Sequence, residues 1–202
     1  AEQRKNQYSS ISEINYPLWT VSWMNEIKRI LKPNGSVFIN IRPHLQKGVI
    51  SDYVLKTRIA LREDGWNECE ELIWIKPDSP PLGSIKRPRR AWESILWFSK
   101  THDPYCDPKA SGTISNRIGF ENSKFKHGGD SHIHAGQNKA SQGIARCKDY
   151  IEVGTGKIEK GIKHPAMFPV HVPEYLIKMC CPKDGTVLDP FMGSATTAVA
   201  AI

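Results

Sequence analysis

Val187-Leu188-Asp189-Pro190-Phe191-Met192-Gly193-Ser194-Ala195-Thr196-Thr197 is the stretch that decides how this chain is read. An apolar strand that ends in an acid and breaks into small residues before an Ala-rich helix is how an α/β sheet builds a nucleotide-type pocket. The ligand lies beyond the strand's carboxyl end, against the N-terminus of the following helix. Gly193 lets a ligand approach the backbone with no Cβ in the way, and Ser194, Thr196 and Thr197 are able to cap the helix or donate to a ligand. Asp189 is placed to meet a ligand's hydroxyl or cationic groups. A glycine turn alone is a weak signal, and a buried strand-to-helix turn without a ligand reads the same way.

Upstream stands His164-Pro165-Ala166-Met167-Phe168-Pro169. Taken together, the two stretches resemble the D-P-F-x-G-S-G-T-T loop and the H-P-x-x-F-P element of the amino-methyltransferases that modify DNA. The order, with both motifs in the C-terminal half, resembles that of the permuted members. The resemblance implies S-adenosylmethionine as cofactor, held by His164, Pro165, Phe168, Asp189, Pro190, Phe191, Gly193, Ser194, Thr196 and Thr197. It also implies transfer of a methyl group to the exocyclic amine of cytosine (N4) or adenine (N6) in double-stranded DNA. The implied fold is α/β: a Rossmann-like methyltransferase sheet, incomplete here, with an antiparallel edge hairpin and a loop-rich basic recognition region. One departure is Ala195 where the family usually has glycine, a methyl expected to narrow the loop slightly.

Composition agrees with this class and excludes others. With 202 residues and 39% hydrophobic content the chain can bury one sizeable core. It has no apolar run of about eighteen residues and no signal-peptide pattern at Ala1-Glu2-Gln3-Arg4, so no membrane role and a cytoplasmic location are expected. Cys69, Cys106, Cys147, Cys180 and Cys181 are scattered without a C-x-x-C pair, which favours reduced thiols over a disulfide scaffold or a zinc site. His127, His132 and His134 lack partners at ligand spacing, so no metal is expected.

Charge is unevenly spread. Residues 76–163 hold 16 Lys and Arg against 9 Asp and Glu, which accounts for the whole net charge of +7. The segment opens with Lys86-Arg87-Pro88-Arg89-Arg90 and continues through a Gly-, Ser-, Asn- and Lys-rich stretch. A polyanion would bind such a surface by counterion release, and a solvated loop with no partner fits the charge run equally well. Beside the methyltransferase motifs, Lys86, Arg87, Arg89, Arg90, Arg117, Lys124 and Lys126 become the candidates for DNA contact. The resemblance places target recognition in this region. A homodimer, and a restriction endonuclease as genetic partner, are compatible with it.

Three parts are expected: residues 1–100 as the catalytic half, 101–162 as the basic recognition region, and 163–202 as the cofactor-binding half. The apolar spacing over residues 18–31 predicts a helix stopped by Lys32-Pro33-Asn34-Gly35, followed by a buried strand at 36–41. A second helix is predicted over 51–63, closed by Gly65. Strands at 71–75 and 92–98 are predicted to be antiparallel neighbours at one edge of the sheet. Residues 101–162 have no period long enough to assign.

The catalytic residues are not legible. Related enzymes position the target amine with a [Ser/Asp/Asn]-Pro-Pro-[aromatic] loop before the first of these helices, and no such loop stands there. Ser79-Pro80-Pro81-Leu82 lacks the aromatic and follows the wrong strand, so it reads as a rigid edge turn. The chain therefore looks truncated at both ends, and low activity is expected of it. A catalytically inert DNA-binding fragment of the same fold is the main alternative. A Rossmann oxidoreductase is disfavoured because no G-x-G-x-x-G follows a strand.

Overall fold

The computed structural model describes residues 11–81, 86–114, 143–155 and 168–202. Helix α1 (Tyr16–Ile30) begins with a proline in its first turn, where the missing N–H costs nothing. Its exit is the predicted stop, with Leu31 donating its backbone N–H to the Ile27 carbonyl at 2.8 Å. Strand β1 (Ser36–Ile41) follows at the expected bounds, then a small hairpin of β2 (Leu45–Gln46) and β3 (Val49–Ile50). Helix α2 (Tyr53–Glu63) ends at Gly65, whose φ of 85° makes the turn into β4 (Asn67–Ile75). Strand β5 (Trp92–Ser99), the short pair β6 (Thr113–Ile114) and β7 (Ile144–Ala145), and β8 (Tyr150–Glu152) come next. Helices α3 (His171–Cys180) and α4 (Thr196–Ala200) complete the described order.

The main sheet runs β1-β5-β4-β8. Its middle strand explains why it forms. In β5, Leu96 and Phe98 face α1 and α2, packing with Met24, Ile39, Ile41, Val54, Leu61 and Trp66. Ile95 points the other way, into a second cluster with Leu72, Trp74, Ile151, Val172, Leu176 and Met179 beneath α3. A strand apolar on both faces must be covered on both, and the result is three layers, helix on sheet on helix. Polar ties fix the layers in register. Arg58 of α2 pairs with Glu68 at 2.6 Å and Glu71 at 2.7 Å on β4, and Trp74 donates its indole N–H to the Val153 carbonyl at 2.9 Å.

Two expectations need correcting. The β4–β5 hairpin is antiparallel as expected, yet it does not stand at an edge, because β1 pairs with β5 and β8 adds in parallel to β4. Strand β8 was not foreseen. Three residues are too few to show a period of two, and only the side of Trp74 that they cover reveals them. Strands β1, β4 and β8 share one direction, which gathers their carboxyl ends and the start of β5 on a single rim.

Candidate functional site

Residues 186–189 lead into the motif loop without joining a described sheet, so the strand expected there is not formed. A strand exists through the ladder bonds of a neighbour, and no described strand lies against this one. The loop instead folds on itself. Asp189 accepts the Phe191 backbone N–H at 2.9 Å through Oδ1 and the Thr197 hydroxyl at 2.6 Å through Oδ2. One side chain thus closes an Asx turn and anchors the start of α4. A carboxylate has about four acceptor positions, so Asp189 can brace the loop and still accept from a ligand. The Ser194 and Thr196 hydroxyls bond to one another at 3.1 Å.

The backbone of the turn is left-handed at two places, Gly193 (φ 52°) and Ala195 (φ 65°, ψ 23°). For Gly193 this carries no steric penalty. Ala195 is the expected departure, but its effect differs from the narrowing anticipated: the methyl group is held in a conformation that disfavours any Cβ by about 1–2 kcal/mol. The glycine usual at that place in the enzymes this loop resembles has a conformational reason.

Phe191 seats the loop on the sheet's helical cover. Its ring lies 5.8 Å from Trp19 and 5.2 Å from Trp23, both on α1, the second edge-on. Neither tryptophan has a site role expected from the sequence, although their spacing of four puts them on one face of the predicted helix. From Trp19 the ring contacts continue to Tyr16 (5.4 Å), Tyr53 (5.0 Å) and His44 (5.5 Å), reaching the base of the β2–β3 hairpin. Burial, then the neighbouring Tyr16 and Glu13, push the Tyr53 phenol up to about 12, and its O–H donates to the Arg42 carbonyl at 2.5 Å.

Val187, Asp189, Met192, Thr197, Ala198 and Ala201 line a small open cleft of about 60 Å³. Ligand pockets that enclose a cofactor are commonly about 300–1,000 Å³, so this cleft alone does not enclose one. Of the other expected cofactor residues, Pro190 lies exposed in the turn and Phe168 packs partly buried against the α3-side core. His164 and Pro165 lie outside the described residues, as do Arg117, Lys124 and Lys126.

The basic cluster sits on the carboxyl rim of the sheet, and its arginines are bound there. Arg87 donates to the Gly48 carbonyl at 2.6 Å, Arg89 to the Ser79 carbonyl at 3.1 Å, and Arg90 to the Pro43 carbonyl. Arg87 and Arg90 stitch the β4–β5 connection to the β2–β3 hairpin and the segment leading into it, and Arg89 closes the connection on itself, each using a fraction of its guanidinium's five donors. Lys86 lies exposed in the same turn. Burial, followed by the Arg90 charge, depresses the pKa of Arg42 on this rim. Ser79 is 4% exposed. The preceding Asp78 carboxylate receives the Thr155 backbone N–H at 2.9 and 3.1 Å, so the Ser79-Pro80 turn is latched to the end of β8 as a structural corner.

A family model described as DNA methylase matches residues 2–202. Among curated relatives, the Type II methyltransferase M.PvuII of Proteus hauseri is 29% identical over 100% of this chain and 68% of its own length. M.ScaI of Streptomyces caespitosus is 27% identical, covering 96% of this chain and 62% of the relative. M.HindIII of Haemophilus influenzae is 26% identical, covering 92% and 61%. The chain thus spans roughly three-fifths to two-thirds of these relatives' lengths. The solved PvuII DNA methyltransferase (cytosine-N4-specific) superposes with a TM-score of 0.70 at 25% identity, covering 100% of this chain and 67% of that one. The M1.HpyAVI–SAM complex shares the fold at a TM-score of 0.56 and 19% identity, covering 90% and 69%. With the motif loop folded as a tight turn at the start of a helix, and with a family match over nearly its whole length, the chain belongs to the DNA methylase family.

Proposed function

We propose that this protein takes part in methyl transfer from S-adenosylmethionine to an exocyclic amine of double-stranded DNA, with cytosine N4 as the target. The observation that carries the proposal is the loop at 189–197, braced by Asp189, turned at Gly193 and seated on α1 through Phe191. Its donor set suits such a cofactor. Thr196 and Thr197 hydroxyls, a carboxylate with acceptor capacity left and the start of α4 stand beside apolar Val187, Met192 and Ala198, matching a ligand with both polar and apolar parts. The bound cofactor would supply an electrophilic methyl group on a sulfonium. The chain's own residues hold and orient it, orientation being a large share of such catalysis.

Within this reading His164, Pro165, Phe168 and Pro190 support the cofactor loop, Phe168 through the core beneath α3. Lys86, Arg87, Arg89, Arg90, Arg117, Lys124 and Lys126 meet the DNA, and residues 101–162 serve target recognition between the halves at 1–100 and 163–202. Cytosine is favoured by the N4-specific relative that superposes over the whole chain. A cytoplasmic location and a restriction endonuclease as genetic partner are part of this reading, supported by the type II naming of the relatives, and a homodimer is compatible with it. Among the described residues no helix is long and apolar enough to cross a membrane.

The test is transfer of a labelled methyl group from S-adenosylmethionine to mixed-sequence duplex DNA, with the product identified after hydrolysis to nucleosides. Where label is transferred, N4-methylcytosine is the expected product, and binding of S-adenosylmethionine and duplex DNA is expected whether or not turnover is detected. Label in N6-methyladenine would correct the target base. A chain that binds neither S-adenosylmethionine nor duplex DNA would overturn the reading.

A further inference from the structure

The β2–β3 hairpin has an arrangement that nothing among the described residues explains. Its turn is Lys47-Gly48, with φ of 49° and 82°, the two positive values that a tight two-residue hairpin demands. Leu45 pairs across with Ile50 and Gln46 with Val49, so Leu45 and Ile50 share one face while Val49 lies on the other. None of the three is covered: Leu45 is 38%, Val49 69% and Ile50 61% exposed. A short ribbon that exposes Leu45 and Ile50 on one side and Val49, beside the polar Gln46, on the other leaves apolar surface uncovered whichever face it docks on a flat surface. It suits a gap that closes on it from two sides.

The surroundings identify the gap. Residues 42–50 hold Arg42 and Lys47 and no acid, and residues 86–90 add four more cations. The nearby carboxylates are occupied: Glu13 by His44 and Ser51, Glu93 by Lys76 and Asn40, while Asp52 lies past the hairpin at the start of α2. Arg87 and Arg90 hold the ribbon from below through the Gly48 and Pro43 carbonyls. His44 at its base ends the line of rings that begins at Phe191 on the motif loop. We propose that the β2–β3 hairpin is a DNA wedge, its exposed Leu45, Val49 and Ile50 side chains entering the space between separated base pairs while Lys47 and the flanking arginines meet the phosphates. Apolar wedges between base steps are an established means of holding a duplex open. The proposal rests on the reading of this chain as a DNA-acting protein.

The test compares binding of the 202-residue chain to a short paired duplex and to the same duplex with one abasic position, across a salt series. Separation costs less at the abasic position. The expected result is binding about tenfold tighter to the abasic duplex, a preference lost in Val49→Ser/Ile50→Ser while paired-duplex affinity changes less than about twofold. Both side chains are exposed, and unchanged denaturation would verify that the variant folds. Lys47→Gln is expected to keep the preference and lower the log–log salt slope by about 0.9. A preference that survives Val49→Ser/Ile50→Ser, or a wild type without one, overturns the wedge and leaves the DNA reading standing. No binding to either duplex overturns both. If the double variant instead lowers the mass in sedimentation at unchanged DNA binding, the hairpin is a contact between copies and the proposal fails.

Discussion

The central strand β5 and the loop at 189–195 are held in shape by opposite means. Phe98 and Leu96 are wholly buried, and β5 is fixed by strands on both sides and helices over both faces. The loop has no ladder, and Phe191 and Met192 remain 46% and 48% exposed. Its form comes from one carboxylate, a glycine, a strained alanine and a ring resting on two tryptophans. The difference teaches that the fold is specified by distributed burial, whereas the site is specified by a few local bonds. Stability and cofactor affinity should therefore respond to separate sets of substitutions.

The largest effect should come from the strand. Phe98→Ala empties the centre of the α1–α2 side and is expected to cost about 3–5 kcal/mol in denaturant unfolding. A cost below about 1 kcal/mol would break the contrast between the two regions. On the loop, Asp189→Ala removes both braces at once. It should lower S-adenosylmethionine affinity tenfold or more in calorimetry while shifting global stability by no more than about 1 kcal/mol, because such a segment opens locally. Gly193→Val should act alike, since a β-branched residue is strained at φ 52°. Unchanged affinity in either variant would remove the loop from the site.

Smaller effects sharpen the comparison. Phe191→Leu keeps apolar bulk and loses the ring contacts, worth about 0.5–1.5 kcal/mol beyond area, and it should change the tryptophan emission through Trp19 and Trp23. Ala195→Gly should raise stability by up to about 1 kcal/mol by relieving the left-handed alanine, less the entropy that glycine adds to the unfolded chain. A loss of stability would show that the methyl packs usefully. At Tyr53 the phenol is raised in the folded protein to about 12 from 10, so its contribution is whole below pH 10 and is lost as pH rises towards 12. Tyr53→Phe should make alkaline unfolding over that window less steep, and an unaltered steepness would contradict the burial assigned to this ring.

Much of the sheet side was legible, because Leu96, Phe98, Met24 and Leu61 lie in runs whose spacing matches their elements. Strand β1 kept its expected bounds for the same reason. Strand β8 was not legible, since three residues show no period and its partner β4 lies far off in sequence. At the site, the motif named Asp189, Gly193 and Phe191 but not their geometry. That Asp189 braces its own loop, and that Phe191 rests on Trp19 and Trp23, depend on contacts between distant segments that no local pattern encodes. The arginines at 87, 89 and 90 announced charge, and only the fold shows that Arg87 and Arg90 also bind the backbone of the hairpin and the segment leading into it, while Arg89 binds the Ser79 carbonyl.

The most direct test of the cofactor assignment is ultraviolet crosslinking of labelled S-adenosylmethionine to the chain, followed by tryptic mapping. Lys183 is the last cleavage site before the motif, so residues 184–202 travel together. Label in that peptide, competed by unlabelled cofactor and absent in Asp189→Ala, is the result expected. Competable label confined to another peptide, or label at 184–202 that persists undiminished in Asp189→Ala, would contradict the assignment.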